Sequence, residues 1–362
     1  MARNRQRAGT DVAGSIVGET AARIFADLAD PQTVNRATDD AWKAALWQTL
    51  VDAGLTLAWV PDQHGGAGAS LAEGFEILAI AGRFAAPVPL AETLLAGWLL
   101  SRADMSAPAG AMTVAPARPG EHLDLVAGGR LSGRCRGVPF ASDAEHIVVL
   151  ANGPDANAMA LIDRKACRVE HGENLAGDPC DIITLERVAP VAMAPLAAFD
   201  ASMLMLMGAT VRSVQTAGAL ETILALSLRY AEERVAFERP IAKFQAVQHN
   251  LARLAGEVAA ALTAAGSAAD AIASAEAFDD GVFLEAASAK IRSAEAAQEG
   301  AAIAHQVHGA IGFTREHVLH RFTLRALGWR DDFGNESHWA VELGKRVAAR
   351  GADAFWPLLA SR

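Results

Sequence analysis

Cysteine is scarce in this chain of 362 residues: Cys135, Cys167 and Cys180 form an odd set without a Cys-x-x-Cys spacing. That argues against both a disulfide framework and a thiolate metal site, and it suits a reducing, cytoplasmic location. Tyrosine occurs once and aromatics make up 6% of the chain, whereas alanine is abundant. The balance favours closely packed helices over a strand-rich fold. No run of Lys and Arg stands out and the formal net charge is -10, so the electrostatic footprint of a nucleic-acid binder is missing. No stretch approaches the apolar length that spans a bilayer, and no apolar run follows the basic, polar start from Met1 to Gly9. Neither membrane insertion nor a secretory signal is expected, and the protein should be soluble.

What is present is ample apolar material, 52% of residues, enough for two or three domains. From about Ala13 to Ala103 the pattern is helical, broken by the Gly-rich turn Pro61 to Ser70. Ser70 with Glu73 has the spacing of a capping box, and the helix it opens should run through Phe75, Leu78 and Ala79 until Pro87 and Pro89. Between about Ser106 and Pro195 short β-rich runs appear at His146 to Ala151, Ala158 to Ile162 and Asp181 to Leu185, and Gly128-Gly129 reads as a hairpin turn. This segment is too short for a complete doubly wound dinucleotide fold. From Asp200 onward three long helices are expected, about Ser202 to Arg234, Ile241 to Ile272 and Gly281 to His308. Val247, Leu251, Leu254, Val258 and Leu262 keep to one helix face, and the Ala-rich surfaces suit a bundle. The expectation is a mainly α chain with a small central β domain, divided at 1–105, 106–195 and 196–362.

Several chemical signals are weak when taken singly. The turn at Gly65 to Ser70 lacks the Gly-Lys-Ser/Thr ending of a P-loop and any G-x-G-x-x-G, so it reads as a turn. His305 with His308 and His317 with His320 have helical metal-sharing spacing, but no H-E-x-x-H occurs and Gly309 and Gly312 interrupt the segment. They read as hydrogen-bonding or interface histidines, and no metal is expected. No G-x-S-x-G elbow supports a nucleophilic hydrolase.

Two stretches are more specific together: Tyr230 to Gln245, containing Arg234-Val-Ala-Phe237-Glu-Arg-Pro-Ile, and His305-Gln-Val-His-Gly-Ala-Ile-Gly-Phe313. They resemble the Arg-x-x-Phe-Gly-x-Pro-Ile...Gln and Gln-x-x-Gly-Gly-x-Gly-Phe/Tyr signatures of acyl-CoA dehydrogenases, and Val60 to Gly68 resembles that family's Pro-x-x-x-Gly-Gly-x-Gly turn. The resemblance implies a helical N-terminal domain, a β-barrel-like middle domain and a C-terminal four-helix bundle. It implies FAD shared between subunits, with Arg234, Phe237, Gln245, Gln306, Gly309 and Ala310 along its adenosine-pyrophosphate half. The forked donors of Arg and Gln suit a pyrophosphate and an adenine edge, and glycine lets backbone approach a phosphate. It further implies an acyl-CoA substrate in lipid metabolism, an electron-transfer flavoprotein as electron acceptor, and a homo- or hetero-oligomer.

The sequence departs from that pattern in three places. Glu238 and Ala310 replace glycines, changes that a helical backbone would accept. Arg136-Gly-Val-Pro-Phe140 stands where Trp-Ile-Thr meets the flavin ring, and Pro139 has no N–H to give. Phe333 precedes Gly334 where the family's catalytic Glu precedes a Gly, while the alternative base position falls about Gly208 and offers no carboxylate. Asp332, Asp331 and Glu336 are the remaining candidates for a base that removes the α-proton while the β-hydride passes to flavin, with Asp332 first. The alternative is a non-catalytic FAD-binding or structural subunit whose partner carries the base.

Overall fold

The computed structural model describes residues 15–118, 120–153, 156–196 and 199–360; the basic start from Met1 to Gly9 and the first residues of the predicted helical region lie outside them. Helix α1 (Ile16–Leu28) begins at Ser15, whose hydroxyl accepts from the Gly18 N–H. Short α2 (Pro31–Arg36) and α3 (Ala41–Asp52) lead to the Gly-rich turn and then α4 (Leu71–Phe84). The capping box forms: the Ser70 hydroxyl accepts from Glu73 N–H at 3.2 Å and the Glu73 carboxylate accepts from Ser70 N–H at 2.8 Å. After a left-handed Ala85, α5 (Leu90–Arg102) is buried along almost its whole length.

The strands follow. One four-stranded sheet has the order β1 (Met112–Val114), β4 (His146–Ala151), β5 (Ala158–Asp163), β8 (Ala192–Pro195). The other has the order β2 (Leu123–Val126), β3 (Arg130–Pro139), β7 (Cys180–Val188), β6 (Arg168–Glu170). Gly128 and Gly129, both at positive φ, turn the β2–β3 hairpin. Alternation decides which core each side chain enters. Ile147 and Val149 of β4 pack with Leu131, Cys135 and Ile183 between the sheets, while Val148 of the same strand faces the main helical core with Met159 and Leu161 of β5. The first sheet is thus covered on both faces, which explains its nearly continuous apolar runs.

The rest is helical. Helix α6 (Ala201–Glu233) has 33 residues and is buried almost continuously from Leu204 to Leu220. It packs on α4 at close range: a Cβ on Gly82 would meet the Gln215 carbonyl oxygen at 2.2 Å, and one on Gly218 would meet that of Ala79 at 2.2 Å. Glycine on each helix lets the two backbones touch. A two-stranded hairpin, β9 (Val235–Ala236) and β10 (Arg239–Pro240), follows α6 and was not expected from periodicity. Next comes a 3-10 turn at Ile241–Lys243, so α7 runs Gln245–Ser274 and starts later than predicted. Helix α8 (Asp280–His308) contributes buried Ala286, Ala287, Ala289, Ala294, Ala296 and Ala297, small side chains that allow close packing. Helices α9 (Leu319–Asp331), α10 (Glu336–Arg350) and short α11 (Phe355–Ala360) complete the chain. Among the described residues no helix is long and apolar enough to cross a membrane.

Candidate cofactor surface and base region

Helices α6 and α8 end side by side, and their ends carry the two motifs. Tyr230 in the last turn of α6 stacks on His308 in the last turn of α8, with ring centroids 4.4 Å apart. From there the first motif continues into the β9–β10 hairpin and the second into the 3-10 turn Gly309–Phe313. Arg234, Phe237, Gln245, Gln306, Gly309 and Ala310 are all exposed, Phe237 to 89%, so the six form an outward-facing surface rather than a cleft. Gly309 has φ 64 and ψ -144, and a Cβ there would meet nothing within 4 Å. Backbone conformation, not space, calls for glycine at this position. Glu238 is not helical, contrary to the reading from sequence. It has φ 64, and Phe237 has φ 50, as a two-residue hairpin turn demands of both central positions. The replaced glycine is therefore a turn glycine, and its loss leaves backbone strain in the motif.

Four histidines crowd beneath this surface. His308 meets His317 at 4.7 Å between centroids, His305 stacks on Phe313 at 4.3 Å, and His305 Nε2 lies 2.9 Å from Thr323 Oγ1. Burial pushes His305, His308, His317 and His320 below their ordinary 6.5, and neighbouring histidines add to the effect on His305 and His317. Burial thus favours their neutral form, and their contacts are those of packing and hydrogen bonding. Among the described residues no group of three or more His, Cys, Asp and Glu is placed to hold a metal ion.

The base region is closed. Asp332 is 5% exposed and accepts from Arg212 Nε at 2.9 Å; the same guanidinium donates to Gln215 Oε1 at 2.6 Å and to the Glu92 carboxylate. Burial pushes the Glu92 carboxyl up and Arg212 pulls it back. For Arg212 burial acts against the charge, but the two carboxylates outweigh it and hold the guanidinium above its ordinary value. Asp331 is exposed on the surface, and Glu336 is clasped by Arg330, whose Nε donates at 2.8 Å and whose hydrogen bonding holds the Glu336 carboxyl below its ordinary range. The three sequence candidates therefore share a loop but not a site, and each charge is paired or solvated.

Phe333 occupies the decisive place. It is 3% exposed at φ 53, and its ring lies on Gly208: a Cβ on Gly208 would come within 2.2 Å of it. The two positions at which the family resemblance places a base thus meet each other, and neither has a carboxylate. Around the ring, the space lined by Ala91, Glu92, Leu95, Val114, Val211 and Arg212 has no room for a water molecule. The ion-paired trio escaped the sequence reading, although a signal was there. Arg212 and Glu92 each stand in an otherwise apolar helical run, where a charge must find a buried partner.

The flavin-ring stretch differs in kind from the motif surface. A Cβ on Gly137 would lie 2.3 Å from Arg118 Nη2, so the Arg118 guanidinium covers this turn of β3 where an aromatic side chain would be needed. Pro139 offers no N–H, and its carbonyl already accepts from the Thr113 hydroxyl. The exposed motif surface offers the forked donors of Arg234, Gln245 and Gln306 and the turn at Gly309, which suit the adenosine-pyrophosphate half of FAD, while exposed Glu238 adds a negative charge beside them. The stretch from Arg136 to Phe140 does not fit the ring half.

Comparison with known proteins gives one direction. Residues 200–334 match the family model described as acyl-CoA dehydrogenase, C-terminal domain. Over 324 residues the chain is 28% identical to acyl-CoA dehydrogenase IpdE2 of Mycobacterium tuberculosis, covering 86% of this chain and 89% of that protein. Among solved structures, one from the ChsE4-ChsE5 complex of Mycobacterium tuberculosis superposes with a TM-score of 0.83 at 24% identity, over 95% of this chain and 99% of the other. The Tcur3481-Tcur3483 steroid ACAD gives a TM-score of 0.81 at 28% identity, over 92% of this chain and 97% of the other.

Proposed function

This chain belongs to the acyl-CoA dehydrogenase superfamily, and we propose that within it the chain is the non-catalytic subunit of a heteromeric, FAD-dependent enzyme. The observation that carries this reading is the Phe333 ring seated on Gly208, which fills the place where a base and an acyl chain would meet. General-base chemistry needs a carboxylate within hydrogen-bond reach of the α-proton, and Asp332 spends its own on a buried arginine. The names of the two similar solved structures each join two chains, which supports a mixed assembly.

In that assembly Arg234, Gln245 and Gln306 would donate to the pyrophosphate and adenine of FAD held chiefly by the partner, and Gly309 would bring backbone close to a phosphate. When bound, the cofactor's chemistry there is to take up the β-hydride of an acyl-CoA thioester, the electrons leaving through an electron-transfer flavoprotein. This chain supplies binding and orientation; the partner supplies the base and the ring pocket. The test is to purify the chain alone and co-expressed with a superfamily partner that keeps the Glu-Gly pair, then measure flavin content and single-turnover bleaching by acyl-CoA, starting with a steroid-derived thioester. The complex is expected to hold one FAD for every two chains and to bleach, with Asp332→Asn in this chain leaving the bleaching intact. A chain that alone retains FAD and is bleached by acyl-CoA, losing this with Asp332→Asn, would overturn the reading.

A further inference from the structure

Where α2 and α3, the β6–β7 loop and the start of α9 meet, they border a cavity of about 590 Å³. That is within the roughly 300–1,000 Å³ of small-molecule sites. No residue of the motif surface, the base region or the Arg136–Phe140 stretch lines it. Its loop wall is fixed by Asn174, whose Oδ1 accepts from the Ala176 and Asp178 N–H groups at 2.9 and 3.1 Å. Asn35 of α2 ties the opposite walls together by donating to the Arg315 carbonyl at 2.8 Å. Val34, Trp42 and Leu324 add apolar surface.

Three arginines line this cavity, and only one has a counter-charge in contact. Arg321 and Arg325 stand one turn apart on α9, an arrangement in which like charges repel. Arg325 is 5% exposed and donates through Nη2 to the buried Asp178 carboxylate at 2.6 Å, while its Nε is buried without a partner. Among the described residues the guanidiniums of half-buried Arg321 and exposed Arg315 have neither a hydrogen-bond nor an ion-pair partner. Burial and the charge of Arg325 push Arg321 down to about 10, with Asp178 and Asp40 offsetting only part of this. After burial, the three arginines also depress His320, which lines the cavity with them. Of the lining carboxylates, Asp178 is taken by Arg325 and Asp40 by Lys43 at 2.8 Å, Asp39 accepts from the Ala41 N–H at 3.1 Å, and Glu173 is exposed to water. Two unmatched guanidinium charges, beside a third arginine whose Nε lacks an acceptor, are complementary to a doubly charged tetrahedral oxyanion. A single carboxylate would leave one of them unmatched.

We propose that this cavity binds a small organic phosphomonoester, its phosphoryl group between Arg321 and Arg315 and its body against Trp42 and Leu324. The site lies within one chain and does not depend on the subunit reading above, and its test reads ligand binding rather than flavin. Isothermal titration of the purified full-length chain with phenyl phosphate, a dianion at pH 8, should show saturable binding at fixed ionic strength. Arg321→Gln should weaken it about tenfold or more, the loss of one charge-assisted hydrogen bond. Benzoate, with one charge, should bind more weakly by a similar factor, while Arg234→Ala leaves the affinity for phenyl phosphate unchanged. Without ligand, Arg321→Gln should melt no lower than the unmodified chain, because no partner is lost and the repulsion with Arg325 is removed. A lower melting temperature would make Arg321 a structural residue and overturn its assignment to a ligand. Absence of saturable phenyl phosphate binding by the unmodified chain would overturn the proposal. So would benzoate binding as tightly as phenyl phosphate, a control that needs no variant to fold, or binding that survives in Arg321→Gln and is lost in Arg234→Ala, which would put the anion on the motif surface.

Discussion

At the scale of single residues the energetics turn on Arg212. Its guanidinium joins Glu92 of α5, Gln215 of α6 and Asp332 after α9, three separate elements, with almost no solvent contact. Arg212→Met would leave two carboxylates buried without a counter-charge, and breaking such a pair costs roughly 3–5 kcal/mol. Urea unfolding should show a loss of that order, and a change of less than about 1 kcal/mol, the worth of a surface pair, would mean that the trio is not ion-paired. Arg234, by contrast, is exposed on its own surface, so Arg234→Ala should leave the melting temperature of the chain nearly unchanged. It should weaken FAD retention by the assembled enzyme, read as flavin lost on gel filtration, with Gln306→Ala acting in the same direction and less strongly because the lost group is neutral. Full flavin retention in the Arg234 variant would remove that residue from the cofactor surface.

At the scale of elements, the junction of α8 with the Gly309–Phe313 turn gathers four histidines and is expected to respond to pH. The pKa values of its four histidines are pushed down by burial, so the unfolded chain binds protons in a range where the folded chain does not. Their contribution to stability is therefore complete above the ordinary 6.5 and is lost as pH falls below it towards the depressed folded values. Thermal midpoints measured between pH 8 and pH 5 should decline on the acid side of that value. His308→Phe, which keeps the stack on Tyr230 while removing one titrating group, should flatten the decline; an identical slope would place the effect elsewhere. The neighbouring hairpin shows where pattern reading stops. Residues 234–240 carry no apolar alternation, and only the pair of positive φ angles at Phe237 and Glu238 shows that the motif's lost glycine was a turn residue.

At the scale of the whole molecule, the motif surface is unusually apolar for one left to water: Phe237, Phe313 and Val235 are 89%, 73% and 55% exposed. Grouped at one end of the bundle, they form the apolar face that the assembly proposed above would cover. Sedimentation velocity is expected to show the isolated chain as an oligomer, and Phe237→Ser with Phe313→Ser to shift it towards monomer. A wild-type monomer at micromolar concentration would count against an interface between copies of this chain and leave that face to a different partner.

The sequence by itself determined the helical, β, helical order of the chain, because that order rests on local physics. The Ser70 and Glu73 capping box, the β-branched apolar run of β4 and the one-sided stripe Leu251, Leu254, Val258 each follow from a few neighbouring residues. It also carries the two motifs on which the family resemblance rests, because each lies in one continuous segment. Only the tertiary structure decided what the base region contains. Phe333 and Gly208 are far apart in the chain, as are Asp332, Arg212 and Glu92, and whether a carboxylate faces a substrate or a buried arginine depends on how α5, α6 and the α9–α10 loop pack. The charge pattern of a loop cannot report that, since a paired and a free aspartate are spelled alike; the difference is made by a partner brought from another helix.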